Sequence, residues 1–216
     1  MSKFIMKDKI EFSDDEKEFD KYCKLKGEYL HKQIYDLLFE KSEIVKYTDL
    51  SSIIRYDKSL RNILYIYLAT FEEYLKAEIF RRYDVFDCNK IYNGKNVDDL
   101  IKDVYDNKNH QNSNLYYCFE LELGPIIRFI ENKQMFENSY INKLKKVKKL
   151  RNHVMHHNLL ICGKAKNMNE FINNKKELKD EITLLKELLP NDYQKGFVKD
   201  VNDLKCDVAD FKIVLE

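Results

Sequence analysis

Arg151, followed by Asn152 and, with four residues between it and the histidine, by His156-His157, heads the group of residues in this chain best equipped for chemistry. An arginine inside an apolar-periodic stretch is costly to bury without a partner, so its position calls for a reason. Arginine is permanently charged and fork-shaped, which suits a phosphate. Histidine titrates near neutrality and can take or give a proton. RNA carries its own nucleophile, the 2′-hydroxyl. Cutting it requires only removal of that proton, stabilisation of the charged phosphorane and assistance to the leaving 5′-oxygen. Arg151 and His156 are the candidate catalytic residues for that reaction, with Asn152 to orient the phosphate or hold the histidine. No metal is needed, and the sequence offers no metal set and implies no cofactor.

The surroundings support an anionic ligand. From Asn138 to Asn169 there is no Asp or Glu, while Lys143, Lys145, Lys146, Lys148, Lys149, Arg151, Lys164 and Lys166 are all basic. In a chain of net charge +1 this is a focused positive field rather than bulk charge. Lys145, Lys146, Lys148, Lys149 and His157 are the candidate RNA-binding residues. Competing readings stand beside these. Arg151 would be structural if it paired with an acid on a neighbouring helix, such as Glu72 or Glu78. A lysine run is often only a solvated helix face. His153 and His157 have the spacing of a metal pair but no third ligand, so packing or solvation explains them better.

These residues need a helix to carry them. At roughly 100° per residue, Leu144, Val147, Leu150, Val154, Met155 and Ile161 form an apolar arc over a predicted helix from Ile141 to about Cys162, with Gly163 as its C-cap. Arg151 and Asn158 fall within that arc. Asn152 and His156 share one flank, and His153 and His157 the other. Five positions do not superpose on an ideal helix, so Arg151 and His156 from one chain make an awkward site. Two copies about a two-fold axis bring two of each around one phosphate, and the spacing favours a dimer.

The rest of the chain reads as helices. Ser13-Asp14-Asp15-Glu16 forms a capping box that predicts a helix to about Glu40. Tyr47–Tyr56 reads as a connector. Asp57 then caps a helix to about Tyr83 with Leu60, Ile63, Leu64, Tyr67, Leu68, Phe71, Leu75 and Ile79 in register. A polar stretch over residues 84–114 contains one short helix near Val97–Tyr105. A helix opens at Gly124-Pro125 and runs to about Asn132. Glu170–Leu189 is amphipathic and stops at Pro190, and the last 25 residues form one more helix. With only 5 Gly and 2 Pro but 35% charged residues, the composition suits an all-α protein with solvated outer faces. Absence of a repeat or a low-complexity linker makes residues 1–216 one domain.

The five cysteines, Cys23, Cys88, Cys118, Cys162 and Cys206, never adopt CxxC spacing, which argues for reduced thiols. No apolar run is long enough to span a bilayer and the N-terminus does not read as a signal peptide, so a cytoplasmic protein without membrane partners is expected.

Three blocks, in order, resemble the abortive-infection (Abi-like) family of bacterial proteins, whose core is a HEPN-type domain. They are Tyr56-Asp57-Lys58-Ser59-Leu60-Arg61, in a helix continuing through Phe71-Glu72-Glu73-Tyr74-Leu75-Lys76; Leu121-Glu122-Leu123-Gly124-Pro125-Ile126-Ile127; and Arg151-Asn152 with His156-His157, which is similar to the HEPN Arg-x(4–6)-His signature. Together they span about half of the chain. The resemblance implies an all-α, HEPN-like helical bundle over 56–165, with a helical extension at 1–50 and C-terminal helices at 170–216. It also implies a homodimer whose motifs face each other, and a metal-independent endoribonuclease of phage-defence or toxin–antitoxin systems that leaves a 2′,3′-cyclic phosphate and a 5′-hydroxyl. The partners it implies are RNA and a restraining antitoxin or regulatory RNA. In this family Arg151 and His156 match the catalytic pair, with Asn152 after the arginine, and variable spacing leaves His157 as an alternative to His156. The chain departs from the pattern in having Lys76 where relatives commonly carry Arg, no Trp-containing C-terminal ending, and no Tyr two residues after His156. A non-catalytic RNA-binding protein partnered with a small or CRISPR-like RNA is the alternative reading of the same basic helix.

Overall fold

The computed structural model describes residues 7–26, 28–82, 123–156 and 159–216. The described residues are all-α: α1 (Glu16–Lys26), α2 (Tyr29–Phe39), α3 (Tyr47–Arg82), α4 (Leu123–Asn132), α5 (Asn138–Met155), α6 (Met168–Leu188) and α7 (Asn191–Asn202). The strand content among them is one two-residue parallel pair, β1 (Ile10–Glu11) with β2 (Val45–Lys46), in register Ile10 to Val45.

Helix α3 is the axis of the molecule. Leu50, Ile53, Tyr56, Leu60, Leu64, Leu68, Phe71, Leu75 and Ile79 recur every three or four residues and are all buried. Thirty-six residues at 1.5 Å each give a rod of about 54 Å. That length lets α2, α4, α5 and α7 all pack against it. Helix α5 sits between α4 and α6 with Ile141, Leu144, Val147, Leu150 and Val154 inward. One hydrophobic cluster runs from Ile10 to Leu215.

Residues 47–56 are helical and belong to α3, not to a connector. The apolar step Tyr47, Leu50, Ile53, Tyr56 continues the Leu60 stripe without a phase break. Asp57 is therefore not an N-cap but a buried residue inside α3, only 1% exposed. The single helix expected to reach Glu40 is two helices, the first ending at Lys26 and the second beginning at Tyr29. The expected Ser13 capping box gives way to other contacts. The Ser13 amide donates to Asp15 Oδ1 at 3.2 Å. Lys7 takes up Glu16 and Asp20, at 3.3 and 2.5 Å.

A reciprocal cap instead opens α6. The Asn167 side chain accepts the Glu170 amide at 2.9 Å, and Glu170 Oε2 accepts the Lys166 amide at 2.8 Å. Pro190 separates α6 from α7, as the sequence predicts. Beyond α7 the chain is not a helix but a pinned tail with one 3₁₀ turn at Ala209–Phe211. Asn202 Oδ1 accepts the Leu215 amide at 2.8 Å, and Tyr56 Oη accepts the Ile213 amide at 2.8 Å. Burial pushes the Tyr56 phenol up to about 12, so it stays a neutral partner for that amide. The predicted helix at Val97–Tyr105, the polar stretch 84–114, Cys88, His110, Cys118, His157 and Asn158 lie outside the described residues. Among the described residues no helix is long and apolar enough to cross a membrane, and Cys23, Cys162 and Cys206 are free thiols.

Candidate functional site

Helix α5 ends earlier than its apolar pattern suggests. It stops at Met155, and His156 is its C-cap, with its amide on the Asn152 carbonyl at 3.1 Å. Leu159, Leu160, Ile161 and Cys162 are buried, but in a turn rather than in the helix. Gly163 closes that turn. Its φ of +53° is the left-handed conformation, and its amide bonds the Leu159 carbonyl at 3.0 Å. Gly163→Ala is expected to cost about 1–2 kcal/mol, because an added Cβ also lies 3.1 Å from Asn174 Nδ2. A thermal melt of the variant checks this.

Three elements grip the turn. Asp57 Oδ1, from α3, accepts the amides of Leu160 and Ile161 at 2.7 and 3.0 Å. Gln33 Nε2, from α2, donates to the Gly163 carbonyl at 2.6 Å, and Asn174 Nδ2, from α6, donates to the Cys162 carbonyl at 3.1 Å. Asp57 Oδ2 meets Arg61 at 2.5 Å. Burial pushes the Asp57 carboxyl up, and the Ile161 amide, Arg61 and the Leu160 amide pull against that. Nothing in the local pattern around Asp57 announced this role. The one available signal was an aspartate in the buried register of an otherwise apolar stripe.

Arg151 is half-buried on the inward side of α5, and its Nε is buried without a hydrogen-bond partner. The acids weighed as its partners are engaged elsewhere: Glu72 with Lys76 at 3.7 Å and Glu78 with Arg81 at 2.6 Å. Asn152 is half-buried and His156 exposed, at the end of the same helix.

The lysines divide in a way that the linear sequence conceals. Lys145 pairs with Glu131 of α4 at 2.6 Å, and Lys143 with Glu187 of α6 at 3.1 Å. Lys149 pairs with Glu177 and, at 3.3 Å, with Glu181, both of α6. The segment free of acids in sequence is thus bordered by acids in space, and Lys143, Lys145 and Lys149 of its lysine field are compensated. Lys146 is exposed with no ion pair among the described residues. Lys148 is half-buried and passes over the start of α4, where a Cβ on Gly124 would lie 3.2 Å from its Cε and Nζ. The glycine block therefore meets α5 at Lys148, three residues before Arg151.

A cavity of about 400 Å³ lies on the opposite flank, lined by Lys149, His153, Gln33, Asn174, Glu177 and Glu181 among others. Arg151 and His156 do not line it. His153 faces this cavity, and no metal-binding cluster of three His, Cys, Asp or Glu residues occurs among the described residues. Burial pushes the Glu181 carboxyl up against the pull of Lys149, whereas the Lys149 ammonium holds the exposed Glu177 carboxyl down. A folded-state value raised above the unfolded one favours the protonated form. The stability it contributes is complete below the ordinary value of 4.5 and is lost as pH rises through the folded value. Glu181→Gln stays neutral throughout. Its urea midpoint, compared with wild type, is expected to improve between pH 4 and pH 7; a constant difference would contradict this.

No protein-family model, curated protein or solved structure matches the chain.

Proposed function

We propose that this chain is a metal-independent endoribonuclease of a bacterial abortive-infection or toxin–antitoxin system, acting as a homodimer of Abi-like, HEPN-type subunits. The observation that carries the reading is Arg151. It is a half-buried cation in the inward arc of α5, without a carboxylate partner among the described residues, on the helix that ends at the exposed His156. A structural arginine in that setting would pair with an acid. An arginine kept for a phosphate would not.

In the proposed reaction the His156 imidazole of one copy takes the 2′-hydroxyl proton. The 2′-oxygen attacks the adjacent phosphorus, and the bond from phosphorus to the 5′-oxygen breaks. The His156 of the other copy returns a proton to the leaving oxygen. The Arg151 guanidinium carries the charge that builds on the phosphoryl oxygens. Asn152, one residue further along α5, orients the phosphate. Lys146 and Lys148 supply backbone contacts that remain once Lys145 and Lys149 are discounted for their ion pairs. The test is incubation of total RNA with purified protein in EDTA, resolved on a denaturing gel beside His156→Ala. Cleavage that survives intact in the variant rejects the site.

A non-catalytic RNA-binding protein is the second reading. A groove favours it in which Lys176 and Lys179 stand beside Lys41, which pairs with Asp210, and Lys175, which donates to the Asp210 carbonyl. Salt-sensitive RNA binding with no cleavage would select it.

A further inference from the structure

We propose that Asp57 is a positioning residue for the candidate site, fixing the point at which the chain leaves α5 and thereby where His156 stands relative to Arg151. The inference rests on the ribonuclease reading for its catalytic consequence, though not for the clamp itself.

The amides of Leu160 and Ile161 follow the end of α5, and Asp57 Oδ1 accepts both, at 2.7 and 3.0 Å. His156 precedes Leu160 by four residues, and consecutive Cα atoms are 3.8 Å apart. Pinning residue 160 to the middle of α3 therefore confines the His156 backbone to within about 15 Å of that anchor. The α5 ladder constrains it from the other side through the His156 amide on Asn152. The motif's end is held between a helix and a clamp.

The clamp's chemistry points beyond packing. A neutral acceptor would satisfy two amides. An ionised carboxylate at 1% exposure carries a desolvation penalty that a neutral side chain avoids. It also holds them more firmly, since bonds to a charged acceptor are shorter and stronger. Its second oxygen is occupied by Arg61 at 2.5 Å, which orients the carboxylate. The turn is thus fixed in direction as well as in place. Arg61 belongs to the same short block as Asp57, so two residues one helical turn apart make the device.

Two variants separate the parts. Asp57→Asn keeps Oδ1 for the amides but presents an NH₂ to Arg61, so it loosens the clamp without removing the acceptor. Asp57→Ala removes both functions. Hydrogen exchange by NMR reads the Leu160 and Ile161 amides, and the His156 imidazole resonances read its position. In Asp57→Asn the fold is retained, protection at Leu160 and Ile161 falls roughly tenfold relative to Leu150, and the His156 resonances shift. RNA cleavage in EDTA loses at least about tenfold in kcat with KM nearly unchanged, since a small misplacement of a catalytic group is expensive. Asp57→Ala, where it folds, shows larger changes in the same direction. Unchanged protection overturns the clamp. Faster exchange with unmoved His156 resonances overturns the positioning role. A wild type that cleaves nothing removes the ribonuclease reading alone, and the exchange and resonance data still decide the clamp.

Discussion

Arg151→Ala is expected to lower metal-free RNA cleavage by about 10² to 10⁴-fold, the range for removing a group that stabilises charge or moves a proton in the transition state. The loss should fall on the chemical step. Single-turnover cleavage in EDTA, with protein in excess over RNA, reads that step directly, and binding measured separately should change much less. Two features favour a large effect. Arg151 projects from the inward face of α5, where water is scarce and a cation acts more strongly on a developing charge. Its Nε has no hydrogen-bond partner, and the guanidinium forms no ion pair among the described residues. Arg151→Lys should recover little, because a point charge lacks the planar fork that meets two phosphoryl oxygens. Equal rates for wild type and Arg151→Ala would sink the proposal. The same experiment with Lys146→Ala and Lys148→Ala should instead weaken binding and flatten its salt dependence.

The helical class was legible because it depends on local periodicity. The α3 stripe from Leu60 to Ile79 and the inward face of α5 follow from spacing alone. The α5 boundary was not legible. Leu159 to Cys162 are apolar and buried, so the pattern extends past the true end; the amides of Leu160 and Ile161 go to the Asp57 carboxylate rather than to a continued helix. Asp57 was misread for a related reason. An aspartate before an apolar run is the usual sign of a cap. Only the partner amides, 103 and 104 residues away, show that it belongs to a different segment. The lysine field failed in the same way. Charge density along the chain registers neighbours in sequence, whereas Glu131, Glu177 and Glu187 arrive from other helices. Arg151 was placed correctly on the inward arc because a wheel needs only the residues of its own helix.

Asp57→Ala carries the second large expected effect, a loss of about 3–5 kcal/mol, the range for removing one partner of a buried ion pair. Against a net stability of about 5–15 kcal/mol this is a major fraction. Two separate penalties compose it. Arg61, 15% exposed at its side chain, loses the carboxylate that faces it. The Leu160 and Ile161 amides lose their acceptor in the interior, and an unsatisfied buried donor costs about 1–3 kcal/mol. A second substitution separates them. In Asp57→Ala/Arg61→Met the cation that faced the lost carboxylate is gone and an apolar chain of similar length fills its place, so part of the stability returns. The amides remain unsatisfied, so the double variant should stay about 1–3 kcal/mol or more below wild type. Equilibrium denaturation in urea measures all three proteins. Full recovery in the double variant would mean that Asp57 serves only to balance Arg61. No recovery would place the whole cost in the amides that hold the turn after α5.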